Sequence, residues 1–217
     1  MSLRSQFLSA VVPLTKLMGR IHAPFSHKEV TGYHVYSIVP HLKAGAGFVT
    51  YTNGEFSNLF IPGRFSHYAM YYQEEHVSFD GKPYKVPYVI EAIGKGVCKT
   101  DLITFLTRKD RVVLIYPTFC DEKVMTRASE VAARLIGQPY DYGFASGNNA
   151  WFCSEVGQHA YKTACKEANL SAPFTKRNTW GEDTVTPQDY INSTAEFSGT
   201  ANPKWRVAWD SAKINIA

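Results

Sequence analysis

The stretch Trp151-Phe152-Cys153-Ser154-Glu155-Val156-Gly157-Gln158-His159-Ala160-Tyr161 decides how this chain is read, because it sets a cysteine at the start of an amphipathic helix. Counting from Cys153, the small or apolar residues Val156, Gly157, Ala160, Tyr161, Ala164 and Cys165 recur at the spacing of a helix face turned toward a core. Cys153 begins that stripe and so falls in the predicted first turn. There the unpaired N–H groups and the positive end of the helix dipole favour a thiolate, the form that attacks carbonyl carbon.

A thiolate nucleophile needs a proton acceptor, usually a histidine. The chain has seven histidines, at 22, 27, 34, 41, 67, 76 and 159. His159 lies six residues further along the cysteine helix. At about 100° per residue it points roughly 120° away from Cys153 and cannot reach its sulfur. If a base exists, it lies upstream.

Working outward, 217 residues with 45% hydrophobic and 14% aromatic content bury a full core in one domain with extensions. Residues 1–33 read as an N-terminal extension, 34–197 as the catalytic domain and 198–217 as a C-terminal tail packing on it. The first twenty residues carry Arg4 and an apolar stretch interrupted by Pro13 and Lys16, with no small-residue cleavage site after it. That fits an amphipathic helix better than an export signal, and favours a cytoplasmic over a secreted location. No apolar run approaches membrane-spanning length.

The four cysteines (98, 120, 153, 165) form no Cys-x-x-Cys pair, and a chain this apolar needs no staples, so all four are read as free thiols. No histidine has metal-ligand spacing, and no metal or cofactor is assigned. The formal charge of +4 comes from scattered Lys and Arg without a stripe, which gives no ground for nucleic-acid binding. Oligomeric state is not legible.

Before the helices come strands. His34 to Pro40, Phe48 to Thr52 and Phe65 to Tyr72 read as strands, the last with His67, Ala69 and Tyr71 on one face. Thr52-Asn53-Gly54-Glu55 and Asp80-Gly81 read as turns, and Val86 to Ile93 as a strand with Glu91 among apolar neighbours. Asp101 to Thr107 reads as a short helix capped by Thr100, and Arg111 to Tyr116 as a buried strand. A helix through Ala128, Val131, Ala132, Leu135 and Ile136 ends at Gly137. After the cysteine helix, a short helix follows Thr186-Pro187 and a strand spans Trp205 to Trp209. Strands first and helices later, without βαβ alternation, predict an α+β fold. The tyrosines at 68, 71, 72, 84 and 88 line a groove or, more commonly for such strands, pack.

Three separated segments are able to converge: Cys153 at a helix start, His67 on one strand and Glu91 on the next. Adjacent antiparallel strands bring His67 and Glu91 together, and the carboxylate would fix the imidazole tautomer and stabilise its charged form.

These residues resemble the circularly permuted papain-like amidases and cysteine peptidases of the YaeF/YiiX type, related to the NlpC-type cell-wall peptidases. The resemblance covers most of residues 45–197. It rests on Thr52-Asn53-Gly54-Glu55 and Phe60-Ile61-Pro62-Gly63 leading to Phe65-Ser66-His67, then Val89-Ile90-Glu91-Ala92 with Gly96-Val97. Further on come Gly137-Gln138-Pro139-Tyr140-Asp141, Phe152-Cys153-Ser154-Glu155 and Thr186-Pro187-Gln188-Asp189. In the permuted branch the histidine precedes the cysteine, as here. The resemblance implies a papain-like fold, Cys153 as nucleophile, His67 as base, Glu91 as third residue and Tyr140 near the oxyanion with the Cys153 N–H. Two departures stand out: Gly45-Ala46-Gly47-Phe48 lacks an aspartate that many relatives carry, and the segment between His67 and Glu91 is longer than usual.

The expected activity is hydrolysis of an amide, in a peptide, a cell-wall peptide or an amino-acid conjugate, through a thioester acyl-enzyme. A lipid acyltransferase or lipase is the alternative within enzymes, and a binding module that keeps the fold is the alternative outside them. The expected substrate is thus a peptide, amide or lipid-like molecule.

Overall fold

The computed structural model describes residues 29–53, 61–144, 148–179 and 182–214. The leading segment expected as an amphipathic helix lies outside them, apart from its last few residues.

Alternating runs at Gly47–Tyr51 (β1), His67–Val77 (β2), Pro83–Ile93 (β3), Gly96–Asp101 (β4) and Arg111–Pro117 (β5) join a last strand, Trp205–Asp210 (β8), in one antiparallel sheet. Its order is β4-β3-β2-β1-β5-β8. A separate hairpin pairs Arg177–Thr179 (β6) with Glu182–Thr184 (β7). The tail is therefore part of the sheet. Arg111 grips the Asp210 carboxylate with two hydrogen bonds, at 3.1 and 2.7 Å, and locks β8 onto β5.

From His67 to Tyr71 every residue of β2 is buried, so the sheet is covered on both faces. On the face of Tyr68 and Met70 lie the helices Glu122–Ala133 (α3) and Cys153–Glu167 (α4), packed on each other and on β2. Gly157 of α4 lets the helix approach so closely that a Cβ there would lie 2.4 Å from the Tyr68 ring. On the face of His67 lies the short helix Leu102–Leu106 (α2), whose Phe105 ring packs on Phe48 at 5.4 Å and on His67 at 6.3 Å. Helices Pro187–Asn192 (α5) and Ala195–Ser198 (α6) close the C-terminal side. Tyr190 of α5 stacks on Tyr68 at 4.4 Å. Tyr68 and Tyr71 belong to the core.

Two local expectations are corrected. His34 to Pro40 is not a strand: Gly32–Ile38 is a helix (α1) running into a 3₁₀ turn at Val39–His41. Val35 and Ile38 bias the sequence toward a strand, but the Thr31 N–H donates to His34 Nδ1 at 3.1 Å as a capping box, and His34 and Ile38 bury one helical face. Helix α2 is capped by Asp101, which accepts from the Thr104 N–H at 2.9 Å, and not by Thr100. Thr100 ends β4, and its hydroxyl is committed elsewhere.

Candidate active site

Strand register sets the first pair of candidate side chains. Ala69 stands opposite Glu91, so His67, two residues before Ala69 on the same face, is the diagonal neighbour of Glu91. Their side chains meet: His67 Nε2 lies 2.8 Å from Glu91 Oε2, with both residues buried. On the far side of Glu91, Thr100 stands diagonal across β4, and its hydroxyl donates to Glu91 Oε1 at 2.6 Å. Both carboxylate oxygens are thus occupied, as burial of an ionised group requires.

Cys153 arrives from the other layer. It is the first residue of α4, with Phe152 as an extended N-cap, so its own N–H has no acceptor within the helix. The helix start sits near the start of β2, close enough for the His67 side chain and the Tyr68 and Ser154 backbone N–H groups to act electrostatically on the sulfur. With Nε2 on Glu91, Nδ1 is the ring nitrogen that the carboxylate does not engage.

The charges follow from this packing. Burial pushes the Cys153 thiol up, but the hydrogen bond and positive charge of His67, with the two N–H donors, overcome it and lower its pKa. Burial and the Lys109 cation oppose a charged His67, but its bonds to Cys153 and Glu91 outweigh them and raise its pKa. Burial would raise Glu91, yet His67, Lys109 and the Thr100 hydroxyl bring it down to about 2. The arrangement favours thiolate, imidazolium and carboxylate in a row. The other thiols move the opposite way: burial pushes Cys120 up to about 12 and raises Cys98 and Cys165.

Sequence reasoning missed Lys109. It is buried, lies over the Phe105 ring at 5.3 Å and acts on both His67 and Glu91. Lys109 falls between the expected helix Asp101 to Thr107 and the expected strand Arg111 to Tyr116, and no local pattern marks it as interior. Tyr140 is half-buried; its backbone bridges to Trp151, two residues before Cys153, and its ring meets Tyr142 edge-on at 4.8 Å. His159 packs on Trp151 at 4.8 Å, away from the sulfur.

A small cleft lies beside Cys153, which is one of its lining residues. Ile61, Pro62, Phe144, Phe152, Val185 and Pro187 are its apolar lining among the described residues. Among the described residues no three His, Cys, Asp or Glu side chains gather as a metal site, and no helix is long and apolar enough to cross a membrane.

A buried cysteine at a helix start, with a glutamate-paired histidine earlier in the chain, is the order expected from the permuted papain-like resemblance. The model of the permuted papain-like amidases, the YaeF/YiiX or C92 family, matches residues 41–196. This chain belongs to that family. As a member of the C92 amidases it is a cysteine peptidase or amidase, a hydrolase with an α+β papain-like fold. A solved structure similar to this C92 member is that of metalloprotein yiiX from Escherichia coli O157:H7, at 21% identity and a TM-score of 0.47, over 76% of this chain and 88% of that one. No curated protein matches it.

Proposed function

We propose that this C92 amidase cleaves its amide bond through a covalent thioester on Cys153. His67 holds the proton taken from the thiol, and Glu91 fixes the imidazole so that Nδ1 faces the sulfur. The thiolate attacks the carbonyl carbon, forming a C–S bond and a tetrahedral oxyanion. When the C–N bond breaks, His67 gives its proton to the departing amine. Water, deprotonated by the now neutral His67, then hydrolyses the thioester and frees the acid and the thiol.

The oxyanion accepts from the Cys153 N–H, which the helix leaves unused, and from the Tyr140 hydroxyl as the second donor. The tie between the Tyr140 backbone and Trp151 supports that placement by keeping Tyr140 next to the helix start.

The observation that carries this reading is the buried His67 Nε2–Glu91 Oε2 pairing at 2.8 Å together with a buried cysteine at the first position of a helix. Intact-mass spectrometry after exposure to activated acyl amides and esters tests it. An acyl adduct on Cys153, lost in Cys153→Ala and retained in Cys165→Ala, is the expected result. Equal labelling of all four cysteines contradicts it.

A further inference from the structure

We propose that Gln188 and Tyr190 of α5 are positioning residues for the reaction, and that this one short helix sets the separation between Cys153 and His67. The proposal rests on the thioester reading above and adds what holds its two reacting residues in place.

Both reacting residues stand at the end of an element, where the backbone has fewest partners. His67 opens β2 and Cys153 opens α4. The register of β1 on β2 ends with Thr50 opposite His67, and the Ser66 N–H still donates to the Thr50 carbonyl at 3.1 Å. The next two N–H groups back along the chain, of Phe65 and Arg64, both donate to Gln188 Oε1, at 3.2 and 2.9 Å. Gln188 thus continues the restraint on β2 past its last pair with β1. Phe65 is buried, so its N–H would be costly to leave unpaired. The carboxamide is itself oriented, since its Nε2 donates to Asn192 Oδ1 at 2.9 Å one turn further along α5. The close approach needs Gly63, at φ +105°, where a Cβ would lie 2.6 Å from the Gln188 side chain.

Tyr190 holds the other side. Its hydroxyl donates to the carbonyl of Ser154, the residue after Cys153, at 2.9 Å, and its ring stacks at 4.4 Å on Tyr68, the residue after His67. Helix α5 is fixed in turn at its start. There the Thr186 N–H and hydroxyl donate to Asp189 Oδ2, at 2.8 and 2.7 Å, and Arg177 Nη2 lies 2.9 Å from Asp189 Oδ1. The helix therefore bridges the strand that carries His67 and the helix that carries Cys153. A reacting pair braced from one element keeps its geometry against the small displacements that cost rate.

The test compares Gln188→Leu, Gln188→Glu and Tyr190→Phe with the wild type in two readouts: the second-order rate of Cys153 acylation by p-nitrophenyl acetate, and the pH dependence of Cys153 alkylation by iodoacetamide. Gln188→Leu removes the acceptor for the two N–H groups, whereas Gln188→Glu keeps one. A loss of about tenfold in acylation rate is expected in Gln188→Leu and in Tyr190→Phe, with Gln188→Glu within about twofold of the wild type. The alkylation inflection should rise in the two slowed variants and stay in place in Gln188→Glu, because an imidazole held further from the sulfur no longer offsets burial of the thiol. If Gln188→Leu does not fold, Tyr190→Phe, which keeps the stacked ring, carries the same expectation alone. Lower thermal stability in Gln188→Leu and Tyr190→Phe with a wild-type acylation rate and inflection, or equal losses in Gln188→Glu and Gln188→Leu, overturns the positioning role and leaves the Cys153 thioester standing. A wild type that p-nitrophenyl acetate does not acylate at Cys153 removes both.

Discussion

His67 and Glu91 meet across two strands as diagonal neighbours, Nε2 to Oε2 at 2.8 Å, and this one pairing determines which imidazole nitrogen is left for Cys153. Removing the carboxylate charge while keeping its shape should free the imidazole to take the wrong tautomer. Glu91→Gln is expected to lower kcat/KM roughly 10²-fold or more in steady-state assays. Thr100→Val, which removes the hydroxyl on the other oxygen, should fall between it and the wild type. An unchanged rate in Glu91→Gln would limit Glu91 to a structural part.

Acid should reveal the same pair as a loss of stability. Glu91 has its folded pKa depressed to about 2 against an ordinary 4.5. Its contribution is therefore fully present above the ordinary value and lost as pH falls toward about 2. Thermal unfolding followed from pH 5 to 3 should show a decline that is shallower in Glu91→Gln than in the wild type. Parallel curves would contradict the assignment.

Tyr140→Phe keeps the ring contact with Tyr142 and removes only the hydroxyl. A lost oxyanion donor should cost roughly 10²-fold in kcat with little change in KM. A kcat equal to that of the wild type would make Tyr140 a packing residue and leave the second donor to another group.

The approach of α4 to the sheet is set by Gly157, where an added Cβ would meet the Tyr68 ring at 2.4 Å and the Tyr190 hydroxyl at 2.9 Å. Gly157→Val should destabilise the protein by about 1–3 kcal/mol in denaturant unfolding, and shift Cys153 away from β2 as it does so. Alkylation of Cys153 slowed relative to the wild type would report that shift.

The sequence carried the parts of the site that local periodicity encodes. The helical stripe from Cys153 and the period of two through His67 and Glu91 place three side chains on known faces, and strand pairing then brings two of them together. Lys109 was not legible, because its burial depends on how α2 folds back over β3 and β4, and a Lys-Asp pair after a short helix carries no mark of that. The edge position of β8 was hidden for a related reason: its partner β5 lies some ninety residues earlier, so the segment read as a packed tail. At α1 the β-branched residues pointed one way and the capping box at Thr31 the other, and the cap prevailed.

The central claim is that the Cys153 sulfur and the His67 imidazole form an ion pair in the folded protein. The pH dependence of Cys153 alkylation by iodoacetamide, read by mass spectrometry in the wild type and in His67→Ala, tests it most directly. A wild-type inflection well below the ordinary thiol value of about 8.5, moving up to or beyond that value in His67→Ala as burial takes over, is the predicted result. An inflection at the ordinary value that His67→Ala leaves in place would contradict it.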